Sequence, residues 1–253
     1  MTGELIVLKW GGGLITHKSE ECSPDLEVIA ELSMTVNSLL AGGYEIVLVH
    51  GAGSFGHIKA KRFRLAEGDV GLEGQAEAVA EVRQDMLELN KLVMRDLDGE
   101  VYPPHLWAKE TGPDFRGELP LSPPLVVVYG DVVDCDEESW GILSGDDLVL
   151  RYALELNATR VVFAIRGADG LLTAPPEEGG ELIEIISGKS EYRGMHSDGI
   201  DVTGGIHLKV ARAEMIAATG IDVYLINGEK PGLVSAACRG KRARGTKFLG
   251  RNA

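Results

Sequence analysis

Glu4-Leu5-Ile6-Val7-Leu8-Lys9-Trp10-Gly11-Gly12-Gly13 and Glu45-Ile46-Val47-Leu48-Val49-His50-Gly51-Ala52-Gly53-Ser54-Phe55-Gly56-His57 together decide the fold. Each stretch opens with a continuous apolar run that stops at glycine. Short runs of this kind are strands buried on both faces, as in a parallel sheet covered by helices. Between them Leu26, Ile29, Ala30, Leu32, Val36, Leu39 and Leu40 recur at helical spacing. Ser23-Pro24-Asp25 supplies a helix start, with Ser23 as the expected N-cap, and Gly42-Gly43 supplies the stop. Strand, helix and strand in roughly 45 residues make a βαβ unit with a right-handed crossover.

The alternation continues outward from this unit. Gln75 to Leu97 reads as a long amphipathic helix, Leu125 to Tyr129 as a buried strand closing on Gly130-Asp131, and residues 132–143 as a hairpin. Ser144-Gly145-Asp146-Asp147 opens a helix to about Leu156. Arg160 to Ile165 is a strand, Thr203-Gly204-Gly205 opens a helix through about Thr219, and Asp222 to Ile226 is a strand. Pro231 to Cys238 is a short helix and Thr246 to Leu249 a last strand. Lys59 to Gly74 reads as a mobile polar loop. Pro103-Pro104, Pro120 to Pro124 and Pro175-Pro176 mark irregular segments. The expected fold class is α/β, a three-layer α/β/α sandwich with an open, mainly parallel central sheet. A soft boundary divides residues 1–143 from residues 144–253.

Composition narrows the function classes. With 25 Lys and Arg against 39 Asp and Glu, the net charge is −14, so a nucleic-acid partner is not expected. No apolar run spans a bilayer, and Met1-Thr2-Gly3-Glu4 does not begin a signal peptide, which predicts a cytoplasmic chain without membrane partners. Cys22, Cys135 and Cys238 are far apart and in no metal-ligand spacing, so reduced structural thiols are expected. The basic stretch Arg239 to Arg251 reads as a local phosphate-attracting or solvated face.

Chemistry concentrates where strands end in glycine. Open α/β sheets bind ligands beyond the carboxyl ends of their strands, where glycine exposes backbone N–H groups and helix starts add positive dipole ends. Gly11–Gly13, Gly51–Gly56, Ser144–Asp147 and Gly204–Gly205 place four such devices along the chain, which points to a polyanion such as a nucleotide. Neither the P-loop nor the dinucleotide fingerprint is present in its proper setting. Lys9, Lys18 and Lys209 lie at or just beyond these turns, where phosphoryl transfer needs positive charge. Lys9 is embedded in an apolar strand, where an unpaired ammonium would be costly. His57 follows a phosphate-type loop and is either structural or a donor to an acceptor anion. Asp146, Asp147 and Asp169 are candidates to orient lysines or Mg²⁺, and Asp146 and Asp147, at a helix start, read equally as caps.

These residues resemble a known family. Lys9-Trp10-Gly11-Gly12-Gly13 is similar to the K-x-G-G-S opening of the amino acid kinase superfamily, with Gly13 standing where serine is usual. His50-Gly51-Ala52-Gly53-Ser54-Phe55-Gly56-His57 resembles the H-G-[AG]-G-S-F-G-H segment of its isopentenyl phosphate kinase branch. Tyr129-Gly130-Asp131, Ser144-Gly145-Asp146-Asp147, Asp169-Gly170, Asp201-Val202-Thr203-Gly204-Gly205 and Lys209 follow in the family's order. The resemblance covers essentially the whole chain. It departs at Arg166-Gly167-Ala168, where the family reads T-D-V ahead of Asp-Gly.

The resemblance implies ATP-dependent conversion of isopentenyl phosphate to isopentenyl diphosphate, with Mg²⁺, in an alternative mevalonate pathway. It implies that Gly11, Gly12, Gly13, Gly53, Asp169, Gly205 and Lys209 bind ATP, with Lys9 beside them. Lys9, Lys18 and His57 would be catalytic, and Ala52, Gly53, His57 and Gly145 would hold the substrate. Residues 1–143 would carry the acceptor phosphate and the prenyl tail, with the helix from Gln75 as apolar wall. Residues 144–253 would carry the nucleotide. A homodimer is implied as well. A fosfomycin-type phosphonate kinase, a carboxylate kinase and a non-catalytic nucleotide-binding module of the same fold stand as alternatives.

Overall fold

The computed structural model describes residues 3–17, 19–174, 178–187 and 205–250. In chain order, β1 (Leu5–Trp10) leads through the short α1 (Gly12–Ile15) to α2 (Leu26–Ala41), β2 (Glu45–His50) and α3 (His57–Arg62). Then come α4 (Gln75–Val93), β3 (Glu100–Val101) and β4 (Leu125–Tyr129), and a hairpin of β5 (Asp131–Cys135) and β6 (Ser139–Leu143). The second half holds α5 (Gly145–Glu155), β7 (Arg160–Ile165), β8 (Ile185–Ser187), α6 (Gly205–Ala217), β9 (Asp222–Asn227), α7 (Pro231–Cys238) and β10 (Thr246–Leu249).

An eight-stranded sheet runs β3-β4-β2-β1-β7-β9-β10-β8, parallel from β3 through β9, with β10 antiparallel to β9. The chain steps from β1 outward to β2 on one side and later returns to β7 on the other. β1 is therefore a switch point, and a crevice opens beyond its carboxyl end. The pleat assigns side chains to two separate cores. Ile6, Leu8 and Trp10, with Ile46 and Leu48, pack among residues of α2, α4 and α7. Val7, Val47 and Val49 pack among residues of α5 and α6. Burial on both faces explains the uninterrupted apolar runs in the sequence.

The expected α/β/α sandwich is the observed fold, and several elements differ in detail. The N-cap of α2 is Asp25, whose side chain accepts from Val28 N, instead of Ser23. Ser23 through Asp25 are held extended, with His17 N donating to Ser23 O and Asp25 N to Ile15 O, so the helix begins later. The segment from Lys59 to Gly74 is built around one side chain instead of forming a loose loop. The buried Gln75 carboxamide donates to Phe63 O and Gly68 O and accepts from Val70 N and Leu72 N. Those bonds satisfy its donors and acceptors and pin the turn through α3 to α4. Helix α4 ends at Val93, and a 3₁₀ turn covers Met94–Asp96. Strands β3 and β8 are too short to leave a pattern in sequence. The expected helix start at Thr203-Gly204 and the segment at Pro175-Pro176 lie outside the described residues. Among those described, no helix is long and apolar enough to cross a membrane.

Candidate active site

Parallel pairing brings the ends of β1, β2, β4 and β7 to one edge, and the turns after them line a cleft of about 640 Å³. Gly11–Gly13, the glycines Gly51, Gly53 and Gly56 of the second turn, Gly130 and Gly167 all border it. The first two turns are interlocked. A Cβ on Gly12 would fall 2.2 Å from Gly53 N, and one on Gly51 would fall 2.5 Å from Gly12 N. Gly53 has φ +51°, and a Cβ there would meet Thr16 Oγ1 at 2.1 Å. Thr16 completes the joint, donating to Gly12 O at 2.8 Å and accepting from Ser54 N at 3.0 Å. Only glycine lets the backbones approach this closely, and that approach makes one continuous anion-facing edge from two loops.

Lys9 sits one residue before Trp10, so the pleat turns it to the α5/α6 side. There its Nζ donates to Asp146 Oδ1. Lys209, from α6, donates to the same carboxylate at 2.9 and 3.1 Å. All three side chains are nearly excluded from solvent. Burial by itself would raise the Asp146 carboxyl. Lys209 and Lys9 outweigh it and hold the group down at about 2. Two ammonium groups thus share one carboxylate, leaving net positive charge at the cleft. Ser144 caps α5 by accepting from Asp146 N. A Cβ on Gly145 would lie 3.1 Å from Lys9 Nζ, so glycine there gives the ammonium its room.

Asp147 turns away to Arg212 at 2.6 Å, and burial pushes its carboxyl up even so. Both belong to a second cavity that also holds Glu110, Cys135 and Glu138 and meets the cleft at Ile142 and Ser144. The ligand atoms of Glu110, Cys135 and Glu138 lie within 4.8 Å of one another, a grouping invisible in their spacing. Glu110 already accepts from Arg116 and from Asp136 N.

Of the residues singled out in the sequence, Lys9, Gly11, Gly12, Gly13, Ala52, Gly53, His57, Gly145, Gly205 and Lys209 all line the cleft. His57 stands at the start of α3, half-buried. Gly205 begins α6 with φ +52°. Asp169 is not among the lining residues. Its carboxylate accepts from Lys230 at 2.6 Å and Arg244 at 2.7 Å, which keep it below its ordinary range. Lys18 lies outside the described residues. Arg166, the departure from the family pattern, lines the cleft and donates to Leu14 O at 2.7 Å and to Asp25, with Glu229 at 3.4 Å. It joins the end of β7 to both α1 and the cap of α2.

Two features of the cleft were not assigned a role from sequence. Thr16 gave no signal, because its role depends on the second loop lying beside it. Asp131, directly after a strand-ending glycine, lines the cleft. It accepts from His105 N at 3.1 Å and pairs with His105 Nδ1 at 2.7 Å. Apolar side chains also line the cleft: Val82 and Met86 from α4, Ile58 and Ala60 from α3, and Val132, Ile142 and Leu143 from the hairpin.

A family model for the amino acid kinase family matches residues 4–105 and 117–227. Isopentenyl phosphate kinase of Haloferax volcanii is 32% identical, over 91% of this chain and 98% of its own. The enzyme of that name from Methanothermobacter thermautotrophicus is 29% identical, over 98% of this chain and 100% of its own. A solved isopentenyl phosphate kinase superposes with a TM-score of 0.82 at 25% identity, covering 97% of this chain and 100% of the other. A product complex of the Thermoplasma acidophilum enzyme gives 0.76 at 26% identity, covering 96% and 99%. UMP kinase from Bacillus anthracis shares the fold at 16% identity and a TM-score of 0.62. The chain belongs to the amino acid kinase family, alongside the isopentenyl phosphate kinases it matches over nearly its whole length.

Proposed function

We propose that the protein transfers the terminal phosphoryl group of ATP to isopentenyl phosphate, giving isopentenyl diphosphate and ADP. One observation carries this reading. The cleft is polar and glycine-edged beside Lys9 and Lys209, and apolar beside Val82, Met86 and Ile142. A phosphate carrying a short hydrocarbon tail fits that division, whereas a carboxylate substrate with polar substituents does not.

An oxygen of the acceptor phosphate attacks the terminal phosphorus of ATP, and the bond to the ADP oxygen breaks. The acceptor is already ionised at neutral pH, so no general base is needed. The work left to the protein is holding two mutually repelling phosphates in line. In this reading Gly11, Gly12, Gly13 and Gly53 cradle the phosphates of ATP through backbone N–H groups. Lys9 and Lys209 offset the charge on the moving group, and Lys18 joins them. Ala52, Gly53, His57 and Gly145 hold the acceptor. Asp169, with Lys230 and Arg244, lies on the nucleotide side. Residues 1–143 then serve the acceptor and residues 144–253 the nucleotide, across a sheet that runs unbroken through both.

The described acids that line the cleft are Asp131 and Asp146, and each is already paired, with His105 or with two lysines. They leave no cage for a bare cation, so Mg²⁺ enters in this reading bound to the phosphates of ATP. When bound it screens the phosphate charge. A homodimer and a cytoplasmic location belong to the same reading, and light scattering of the purified protein tests the first.

A coupled assay of ADP release with isopentenyl phosphate tests the reaction. Turnover of isopentenyl phosphate above other small phosphates and phosphonates is expected. Turnover of a phosphonate with none of isopentenyl phosphate would overturn the proposal.

A further inference from the structure

His50 ends β2 with its side chain fully buried, and the mechanism above does not use it. The pleat turns it to the face opposite Lys9's partners, under α4. Tyr129 stacks on its ring, with centroids 4.9 Å apart and planes 29° from parallel. Nδ1 lies 3.2 Å from the carbonyl oxygen of Gly51, and Nε2 lies 3.2 Å from Asn90 Oδ1.

Burial, with Lys9 adding repulsion, lowers the imidazole to about 4, so the ring is neutral at pH 7 and carries one N–H. Two oxygens face the ring and one N–H is available; the backbone fixes the Gly51 carbonyl as an acceptor, whereas the Asn90 carboxamide can turn to exchange its oxygen and nitrogen, so both contacts are satisfied with the proton on Nδ1. With the Asn90 carboxamide in that turned orientation, its NH₂ donates to Nε2. The Gly51 carbonyl shares its peptide plane with the Ala52 N–H, and in a trans peptide the two point in opposite directions. Holding the carbonyl toward the buried ring turns the Ala52 N–H away from it, to the side of the cleft that Ala52 lines. Among the described residues this amide donates to no protein group.

We infer that His50 is a positioning residue for the acceptor: its Nδ1–H fixes the Gly51 carbonyl inward and so aims the Ala52 amide at the acceptor phosphate. This rests on the reading that the loop after β2 holds that phosphate.

Asparagine and glutamine separate the two ring nitrogens, because an Asn amide reaches the position of Nδ1 and a Gln amide that of Nε2. Steady-state kinetics of His50→Asn and His50→Gln, with isopentenyl phosphate and ATP varied separately, test the inference. His50→Gln is expected to raise KM for isopentenyl phosphate roughly tenfold, with KM for ATP within about twofold of wild type. His50→Asn is expected to restore most of the loss. Nitrogen NMR of the wild-type ring supplies a readout independent of folding in the variants and is expected to show the Nδ1–H tautomer. An Nε2–H tautomer, or equal losses in both variants, or an unchanged acceptor KM in His50→Gln, would overturn the inference. A wild-type protein inactive on isopentenyl phosphate but showing the Nδ1–H tautomer would instead remove the reading of the substrate, leaving the loop geometry in place.

Discussion

Lys9 and His50 sit at the ends of neighbouring strands, on opposite faces of one sheet, and burial treats them differently. On the α5/α6 face, Lys9, Lys209 and Asp146 keep their charges in the interior because each has an opposite charge in contact. On the α2/α4 face, His50 meets Tyr129, Asn90 and a carbonyl, with no anion in contact, and stays neutral. Desolvation opposes charge in both places, and the partner decides the outcome. In the proposed reaction the charged face meets phosphate, and the neutral face shapes the backbone beside it.

Removing the shared anion is the strongest way to break this contrast. Asp146→Ala leaves two buried ammonium groups facing one another, and a loss of about 3–5 kcal/mol is expected from urea unfolding. Turnover should fall with it, because Lys9 and Lys209 lose their common anchor. In the intact protein the carboxyl is held below its unfolded value of 3.8, at about 2. Its contribution is therefore complete above about pH 4 and lost as pH falls toward about 2. Asp146→Asn should flatten acid unfolding in that window.

The neutral face titrates in a different window. The His50 ring is held below its unfolded value of 6.5, at about 4, so the unfolded chain binds the extra proton between those values. Stability is complete above about pH 6.5 and declines as pH falls toward about 4, by about 3 kcal/mol in all. His50→Asn should remove that slope while leaving the Asp146 window intact. If both windows moved together, the two faces would be coupled and the contrast would fail.

Two smaller effects sharpen it. His57→Ala acts in the cleft itself, so turnover should drop roughly 100-fold with both acid windows unmoved. Phosphoryl transfer at near wild-type rate would remove the role proposed for His57. Arg166→Met cuts the ties to Leu14 O and Asp25 beside the cleft. A stability loss of about 1 kcal/mol and a modest rise in KM for ATP are expected, measured by thermal unfolding and initial rates.

Much of the fold was legible because strands buried on both faces must be apolar throughout. Runs such as Ile46 to Val49 therefore mark themselves. The segment after His57 reads as a loop in sequence because its order comes from one side chain, Gln75, reaching back across the turn. Polar composition carries no trace of that reach. The glycine turns announced an anion site through backbone geometry that only glycine permits. Lys9 announced itself by standing inside an apolar strand. Thr16 and the pairing of His105 with Asp131 gave no signal, since each depends on a neighbour distant in the chain.

By itself, then, the sequence determined a parallel α/β sheet, the glycine-edged ligand site at its strand ends, and a family resemblance resting on the loop from His50 to His57. Those properties follow from local pattern: the period of the pleat, the conformational freedom of glycine, and the order of short motifs. Tertiary structure alone decided that Lys9, Asp146 and Lys209 share one buried charge centre, that Asp169 turns to Lys230 and Arg244, and that His50 stays neutral beneath Ala52. A buried group's charge depends on which distant partner the fold brings within hydrogen-bond reach, and no local pattern carries that information.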